Sequence, residues 1–269
     1  MIAPRAAALA LAASMVLTPA AHAQEIVGVS EFARLVDLHA KVSAAVSDVV
    51  VAEGAAVLEG DTLIRLDDRL QRARFQVAET AANALGPIAR AEAQLRVAKD
   101  RHARLKRAAA RGGAPKWEVA EAEGAVAIAE ATLRAAMEEV ESNRARRDLE
   151  AVALLDFTIT APFDGIILET NAEIGALPSS EDPLAVVADP SEMRVSVFVP
   201  VERVTGLSPG DRFPARIGMP FNREIEVTLE SIDPRVEPSS RTLRVVFHYE
   251  NDVASPAGLE IAILLPDGS

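Results

Sequence analysis

The chain has no cysteine among its 269 residues. Disulfide bridges, thiolate metal sites and cysteine nucleophiles are therefore excluded, although an oxidising compartment would permit bridges. A lipid anchor on a cysteine behind a cleaved leader is excluded as well. The stability of the protein must come from the packing of its side chains.

Aromatic residues are also scarce, with eight Phe, one Trp and one Tyr. They leave few surfaces on which nucleic acid bases stack and few anchors for a large flat ligand. The formal net charge of −12 repels phosphate groups. We therefore expect no nucleic acid partner.

Motifs of catalysis are missing too. The sequence has no Gly-rich phosphate loop, no Gly-x-Ser-x-Gly elbow and no His-Glu-x-x-His run. His39, His102 and His248 are far apart in the sequence, whereas a metal site needs convergent ligands. We expect neither an enzyme nor a bound metal or cofactor.

An apolar run stands at the start of the chain. Arg5 precedes it, and Ala21-His22-Ala23 at its end has the small residues of a cleavage site. The run is shorter than the about 20 residues that a transmembrane helix needs, and no later segment approaches that length. We predict a leader over 1–23 that is removed on export, which leaves a periplasmic protein beginning near Gln24 without a lipid anchor.

Turn residues divide the rest of the chain into β, α and β parts. Alternating Val and Leu predict strands over 24–38 and 39–68, and short strands separated by Gly and Pro turns follow from residue 156 onward. Between them, 69–155 is rich in Ala, Glu, Arg and Leu and almost free of turn residues. This composition predicts helix.

Glycine and proline punctuate the helical part. Gly112-Gly113 and Pro115 predict two helices of about 40 residues that are joined by a tip over 108–116. Gly86-Pro87 interrupts the first helix, because Pro lacks a donor and clashes with the preceding turn. We expect a break near Leu85.

Both helices carry apolar residues at intervals of seven, with smaller residues at the intervening offset of three. Such a seam predicts that the helices pack antiparallel as a hairpin. In the second helix the seam comprises Val119, Ala122, Val126, Ala129, Leu133, Ala136 and Val140. In the first helix it comprises Ile88, Ala91, Leu95, Ala98 and Leu105, with His102 as a polar interruption.

Two carboxylates precede the first helix. Asp67 and Asp68 have the form of a catalytic carboxylate pair, but a carboxylate at this place also accepts hydrogen bonds from the free N–H groups of the first turn. We expect one of them to be the N-cap.

The segments on either side of the helices have matching turns. The first, over 49–63, contains Glu53-Gly54 and Glu59-Gly60-Asp61 and resembles the first half of a biotinyl/lipoyl domain. The second, over 161–187, contains Ala161-Pro162-Phe163-Asp164-Gly165 and resembles the second half. Glycine permits the tight turns that both halves need.

A further segment, 232–244, is similar to a signature of the β-barrel in the HlyD/AcrA membrane fusion protein family. Nearly all of the predicted mature chain resembles this family. The resemblance implies an elongated α+β fold of several domains: a split lipoyl-like β-sandwich over 39–68 and 156–189, a long antiparallel coiled-coil hairpin, and a small β-barrel over 190–269 joined by the strand at 24–38. A membrane-proximal domain is expected to be absent or vestigial.

The resemblance also implies a function. Members of this family are periplasmic adaptors that link an inner-membrane efflux transporter to a TolC-like outer-membrane channel and associate into rings. We expect a trimer or hexamer and a transporter of the resistance-nodulation-division type. An ABC-type exporter or a type I secretion system is an alternative.

Two other functions stay open, namely a lipoyl-like carrier and a freestanding periplasmic binding module. A carrier needs a Lys on the turn between the sandwich halves, where about 85 helical residues stand instead. The chain has only Lys41, Lys99, Lys106 and Lys116. None of them occupies such a turn, which argues against a carrier.

The hairpin tip is expected to contact the channel. A family tip motif has Arg, then Leu, then Ser; here Arg104 matches, but Ala108 and Pro115 replace the other two. The alternative is an ordinary solvated helix face. The candidate contacts are Arg101, Arg104, Arg107, Arg111, Gly112, Gly113, Pro115 and Trp117.

The barrel is expected to contact the transporter, through loops around 203–211 and 234–244. The candidate residues are Arg203, Asp211, Arg235 and Arg241.

Overall fold

The computed structural model describes residues 24–179, 181–252 and 254–266. The leader predicted over 1–23 lies outside them. The described residues divide into two compact units, one formed by those up to Arg34 together with those from Asp189 onward, the other by those within Leu35–Ala188. Within the described ranges, every helix is too short or too polar to span a bilayer.

The described elements alternate in type along the chain, as the composition predicted. The first strands and helices are β1 Gln24–Leu38, β2 Val46–Val49, β3 Ala56–Val57, β4 Thr62–Leu66, α1 Arg69–Ala82, α2 Gly86–Ala109 and α3 Lys116–Leu155. The later ones are β5 Thr158–Thr160, β6 Gly165–Thr170, β7 Ala185–Pro200, α4 Val201–Val204, β8 Arg212–Ile217, β9 Arg223–Glu237, β10 Thr242–Glu250 and β11 Glu260–Leu265. The expectation of a mixed fold with sheets and a long helical hairpin is confirmed.

In the first unit, strands form a closed barrel. They pair in the order β1-β11-β8-β9-β10-β7, and β7 also pairs with β1. Alternate side chains point inward, and Phe213 and Phe247 meet there edge to face, with ring centroids 5.8 Å apart. The core of the barrel is thus built from the apolar half of each alternating strand.

One glycine is required where β1 meets β7. A Cβ added at Gly28 would lie 2.6 Å from Cγ1 of Val197 and 2.7 Å from the carbonyl oxygen of Ser196. Real side chains do not approach so closely, so only glycine fits at this point of the barrel.

The second unit has one core that draws on both segments flanking the helices. Strands β2, β4 and β5 form one sheet, while β3 pairs with β6, and β6 with the beginning of β7. The buried side chains of this core are Val46, Val57, Leu63, Ile64, Leu66, Ile159, Ala161, Phe163, Ile167, Leu184, Ala185 and Val187. Residues on either side of the hairpin therefore fold together.

Backbone hydrogen bonds join the two segments as well. The amide of Gly60 donates to the carbonyl of Ala161 at 2.9 Å, and the amide of Ala161 donates to Asp61 at 2.9 Å. The amide of Gly54 donates to Ile167 at 2.8 Å. These bonds satisfy backbone groups that a single segment leaves unpaired.

The helices form an antiparallel hairpin in which α1 and α2 both pack on α3. The predicted seam is confirmed: its alanines and Val140 on α3 are buried, and Ile88, Ala91, Leu95, Ala98 and His102 on α2 are buried or half-buried. On α1 the seam continues through Gln71, Phe75, Ala78 and Ala82.

The break in the first arm is confirmed as well. Helix α1 ends at Ala82, and α2 begins at Gly86 with Pro87 in its first turn. A missing N–H has no cost there, because the first-turn amides have no partner within the helix. The arm consists of helices of 14 and 24 residues rather than one of about 40.

The predicted N-cap is only partly right. Asp68 occupies the N-cap position, but its side chain makes no capping hydrogen bond and pairs instead with Arg72 one turn later. Asp67 accepts from the amide of Arg69 at 3.2 Å and forms an ion pair of 2.6 Å with the Arg69 guanidinium. The bonds from Arg69 lower the pKa of Asp67 to about 2.

Candidate partner-binding surfaces

The hairpin tip is a short link with a defined turn. After α2 ends, the amide of Gly113 donates to Ala108 at 2.9 Å and the amide of Gly112 donates to Ala109 at 3.0 Å. Gly112 has φ +74°, which glycine adopts without strain. This pair of bonds is a Schellman motif, which ends the helix and reverses the chain.

Pro115 ends the link on the other side. It stands at the N-cap position of α3 with φ −66° and ψ 148°, so that Lys116 begins the helix. The residues between Ala109 and Lys116 are therefore enough to join the arms. The predicted tip over 108–116 agrees with this link.

Four guanidinium groups surround the tip. Arg101, Arg104, Arg107 and Arg111 are all exposed, and within the described part of the chain none of them forms an ion pair. Arg107 lies in the last turn of α2, where a cation stabilises the helix dipole. Arg101 and Arg104 lie more than one turn before the end of α2, where the helix dipole no longer stabilises a positive charge. They therefore lack the structural role of Arg107.

Trp117 follows the tip at the start of α3, and 65% of its surface is exposed. Large exposed aromatic side chains are enriched at protein interfaces. The tip thus presents an aromatic side chain beside unpaired positive charges, which suits an acidic partner.

The four residues proposed on the barrel lie at one end of it. Pro200 at the end of β7 pairs with Thr242 at the start of β10, and Thr242 pairs with Glu237 at the end of β9. Asp211 precedes β8 and Arg203 lies in α4 after β7, so the loops at this end carry all of the proposed contacts.

Two of these residues have clear structural roles. Oδ2 of Asp211 accepts from the amide of Ser208 at 2.8 Å, which closes the turn before β8. Arg203 donates to the carbonyls of Leu265 and Pro266, both at 3.2 Å. The role of Arg203 has no sign in the sequence, because the two carbonyls follow 62 and 63 residues later. The role of Asp211 is local, within a turn of four residues.

The other two are more exposed. Arg235 forms an ion pair of 2.7 Å with Asp233 and lowers the pKa of that carboxyl group to about 2. Arg241 has φ +54° in the turn between β9 and β10, and its amide donates to Glu237 at 2.8 Å. Its side chain is exposed.

Sequence reasoning missed three apolar side chains at the same end. Phe198, Val201 and Val236 are 60%, 37% and 46% exposed. Strand alternation identifies the first, because Val197 and Val199 on either side of Phe198 are buried and Phe198 must therefore point outward. Large apolar side chains that remain exposed are candidates for contact with a partner.

The described residues contain no group of three or more His, Asp or Glu side chains that is arranged to hold a metal. Lys41, the lysine within the sandwich segments, forms a 3.8 Å ion pair with Asp156 at the end of α3. It lies on the connection between β1 and β2.

Comparison with known proteins adds to this description. No protein-family model matches the sequence, and no curated protein matches it either. Solved structures do match. MacA from Actinobacillus actinomycetemcomitans has 20% identity and a TM-score of 0.78, over 91% of this chain and 78% of that one.

Two further matches have lower TM-scores. The membrane fusion protein Spr0693 from Streptococcus pneumoniae has 13% identity and a TM-score of 0.57, over 91% of this chain and 100% of that one. A MacA-MexA chimera with the Pseudomonas aeruginosa MexA α-hairpin has 21% identity and a TM-score of 0.56, over 91% and 83%. The chain therefore has the fold of membrane fusion proteins.

Proposed function

We propose that this protein is a periplasmic adaptor, which links an inner-membrane transporter to an outer-membrane channel in export. The observation that carries the proposal is the single core shared by residues on both sides of a helical hairpin. In that arrangement the sandwich holds the base of the hairpin, where α1 begins and α3 ends, and the hairpin extends about 60 Å to its tip, since the 40 residues of α3 rise about 1.5 Å each. Such a rod suits a spacer between two partners.

The sequence segments have separate roles in this proposal. A leader over 1–23 directs export and leaves a periplasmic protein with no lipid anchor. Segments 39–68 and 156–189 form a lipoyl-like sandwich, and the tip contacts a TolC-like channel. The barrel, formed by 24–38 and 190–269, contacts the transporter and so holds the adaptor at the inner membrane.

The transporter that we propose is of the resistance-nodulation-division type, with an ABC-type exporter or type I secretion system as the alternative. The copies associate into a ring, as a trimer or a hexamer. No enzymatic activity and no cofactor are part of the proposal. The likeness to MacA, at a TM-score of 0.78, supports it at the level of the fold.

Site-specific photo-cross-linking in the cells of origin tests the proposal. A photoreactive amino acid replaces Trp117 at the tip in one variant and Val236 at the barrel end in another. We expect the first to capture an outer-membrane protein and the second an inner-membrane transporter, both identified by mass spectrometry. The control position is Met219, which is 85% exposed on the loop between β8 and β9.

The proposal fails if neither variant captures a membrane protein, or if Met219 captures the same proteins in equal amount.

The carrier alternative has its own test. An intact mass of the purified protein that shows a lipoyl or biotinyl group on a lysine would favour a carrier over an adaptor.

A further inference from the structure

An apolar groove of about 380 Å³ lies between α1 and α3, toward the base of the hairpin. The apolar side chains that line it are Ala73, Val77, Ala78 and Ala81, all on α1. Three of these four are alanines, which are too short to fill the space between the two helices. The volume falls within the range of sites that bind small molecules, about 300–1,000 Å³.

The apolar surface of this groove is accessible. Ala78 is only 6% exposed, whereas Val77 next to it is 73% exposed. A large apolar side chain that stays in water beside a groove is a mark of a binding surface. A molecule lying in the groove would remove the surface of Val77 from water, which is favourable when that molecule is apolar.

Two guanidinium groups stand on opposite walls of the groove. Arg74 on α1 and Arg146 on α3 both line it, and both are exposed. Nε2 of Gln71 donates to Oε2 of Glu150 at 2.7 Å, which puts these two residues at the same level of the antiparallel helices. Counting three residues along α1 and four residues back along α3 brings Arg74 and Arg146 within about 1.5 Å of one level.

Neither arginine has an acidic partner among the described residues. The nearby Arg72 and Arg147 do form ion pairs with carboxylates, but Arg74 and Arg146 form none. Glu150 also lines the groove, on the base side of both arginines, and it accepts the hydrogen bond from Gln71. The groove therefore has a positive site with apolar walls on the side that leads toward the tip.

We propose that this groove binds a single-chain aliphatic carboxylate. The carboxylate lies between Arg74 and Arg146, because a guanidinium donates two parallel N–H···O bonds to a carboxylate. The aliphatic chain lies along Val77, Ala78 and Ala81, where it is removed from water. The proposal concerns a site within the hairpin and does not rest on the adaptor function.

The dimensions favour a small molecule over a protein segment. The seven residues from Arg74 to Ala81 rise about 10 Å, and α1 ends one residue later at Ala82. A stable protein interface buries about 1,200 Å² or more, which a groove of this length does not provide. A cation is disfavoured, because two positive charges on the walls repel it. Octanoate has the charge and a chain of suitable length.

Calorimetric titration of the purified protein with sodium octanoate tests the proposal. We expect saturable binding of a single octanoate per chain. Sodium acetate keeps the head group and 1-octanol keeps the chain length, so each is expected to bind about tenfold more weakly or worse. Equal binding of acetate would show an adventitious ion only, and equal binding of octanol would show apolar adsorption. Either result, or no binding of octanoate, would overturn the proposal.

Two pairs of arginine variants test the positive site. Arg74→Gln with Arg146→Gln should weaken octanoate binding about tenfold or more, because the charge-assisted hydrogen bonds are lost. Arg96→Gln with Arg134→Gln removes the same charge at two exposed positions of the hairpin that do not line the groove, and it should leave the affinity unchanged. Equal affinities of the two double variants would refute the assignment of the head group.

The apolar part has its own variant. Ala81→Leu puts a larger side chain into the groove and should abolish octanoate binding, whereas Ala131→Leu, at an exposed position of α3, should not. Circular dichroism checks that both variants keep their helices, and retained binding in folded Ala81→Leu would contradict the site. Sedimentation velocity covers another occupant. A self-association that Ala81→Leu abolishes and octanoate leaves unchanged would assign the groove to a second copy and overturn the proposal.

Discussion

The backbone amide of Glu59 donates a hydrogen bond of 2.7 Å to Oδ1 of Asp164, which lies 105 residues further along the chain. This bond ties the segment before the hairpin to the segment after it. Gly165 comes next, and a Cβ at that position would collide with the carbonyl oxygen of Ala188. Both residues of this Asp-Gly pair therefore serve the sandwich. Asp164 accepts a hydrogen bond from the first segment, and Gly165 lies too close to Ala188 to carry a side chain.

We predict that Asp164→Ala lowers the free energy of unfolding by about 0.5–1.5 kcal/mol, because one hydrogen bond is lost. Gly165→Ala is expected to cost about 1–3 kcal/mol, because the backbone must move to admit a methyl group. Urea unfolding followed by circular dichroism measures both. Equal stability of Gly165→Ala and wild type would show that Ala188 moves away without cost.

Gly28→Ala tests the closure of the barrel. The added methyl group meets Val195, Ser196 and Val197 at less than 3 Å, so a loss of about 1–3 kcal/mol is expected. Gly124→Ala is the matched control: it lies in α3 with open space around it and should stabilise the helix by about 1 kcal/mol. Thermal unfolding of both variants gives the comparison, and a stable Gly28→Ala would contradict the tight contact.

Tyr249→Phe tests a buried hydroxyl group. The hydroxyl of Tyr249 is buried near Ser30 and Ser255, but among the described residues it makes no hydrogen bond of normal geometry. Removing the hydroxyl should therefore lower the free energy of unfolding by less than about 0.5 kcal/mol. Ser255→Ala loses a 2.8 Å hydrogen bond to Asn251 and should lower it by about 1 kcal/mol. Chemical unfolding at neutral pH measures both, and a larger loss for Tyr249→Phe would contradict the assignment.

The same tyrosine makes stability sensitive to alkali. Burial raises the pKa of Tyr249 above 10.0, so the folded protein keeps the proton that the unfolded chain releases. The stabilisation is complete below pH 10 and is lost as the pH rises through the folded-state pKa. The free energy of unfolding should fall more steeply above pH 10 in wild type than in Tyr249→Phe, and parallel curves would refute this.

Two exposed carboxylates should titrate at low pH. The pKa values of Asp67 and Asp233 are about 2, because Arg69 and Arg235 donate hydrogen bonds to them. Their contribution to stability is present above pH 3.8 and is lost as the pH falls toward 2, and solvent keeps it small. Carboxyl NMR titration of wild type and Arg69→Gln checks this, with the pKa of Asp67 expected to rise in the variant and that of Asp233 to stay unchanged.

The tip charges give a functional prediction. Arg101→Glu with Arg111→Glu should reduce photo-cross-linking of the channel from Trp117 several-fold, because an acidic partner would be repelled by the reversed charges. The control Arg96→Glu with Arg134→Glu makes the same change of charge at two exposed positions farther from the tip. Equal losses from the two pairs would show a general charge effect and not a contact at the tip.

Several features of the fold could be predicted because their signals are local. The seam through Ala122, Ala129 and Ala136 depends only on spacing, and so does the break before Gly86-Pro87. The N-cap predicted at Asp67 or Asp68 was right in position, since Asp68 is the N-cap, but its carboxylate pairs with Arg72 and makes no capping hydrogen bond. Spacing contains no measure of that competition.

The candidate surfaces were harder to predict. The tip residues follow each other in sequence, so their proximity was foreseeable. At the barrel end, Arg203 and Asp211 have hydrogen bonds to Leu265 and Ser208 that were not foreseen. Their contact with a partner stays a prediction. Phe198 was missed, although alternation puts it on the opposite face of the strand from Val197 and Val199, because the sequence does not say which of the two faces is the core.

By itself, the sequence determined the order of strand, hairpin and strand, the position of the tip, and the absence of sulfur chemistry, because each depends on residue types at short spacing. Only the tertiary structure decided that Arg203 binds the carbonyls of Leu265 and Pro266, since these residues lie 62 and 63 positions further along the chain. It also decided why Gly28 and Gly165 must be glycine, because the atoms that exclude a side chain come from Ser196 and Ala188, far away in the chain.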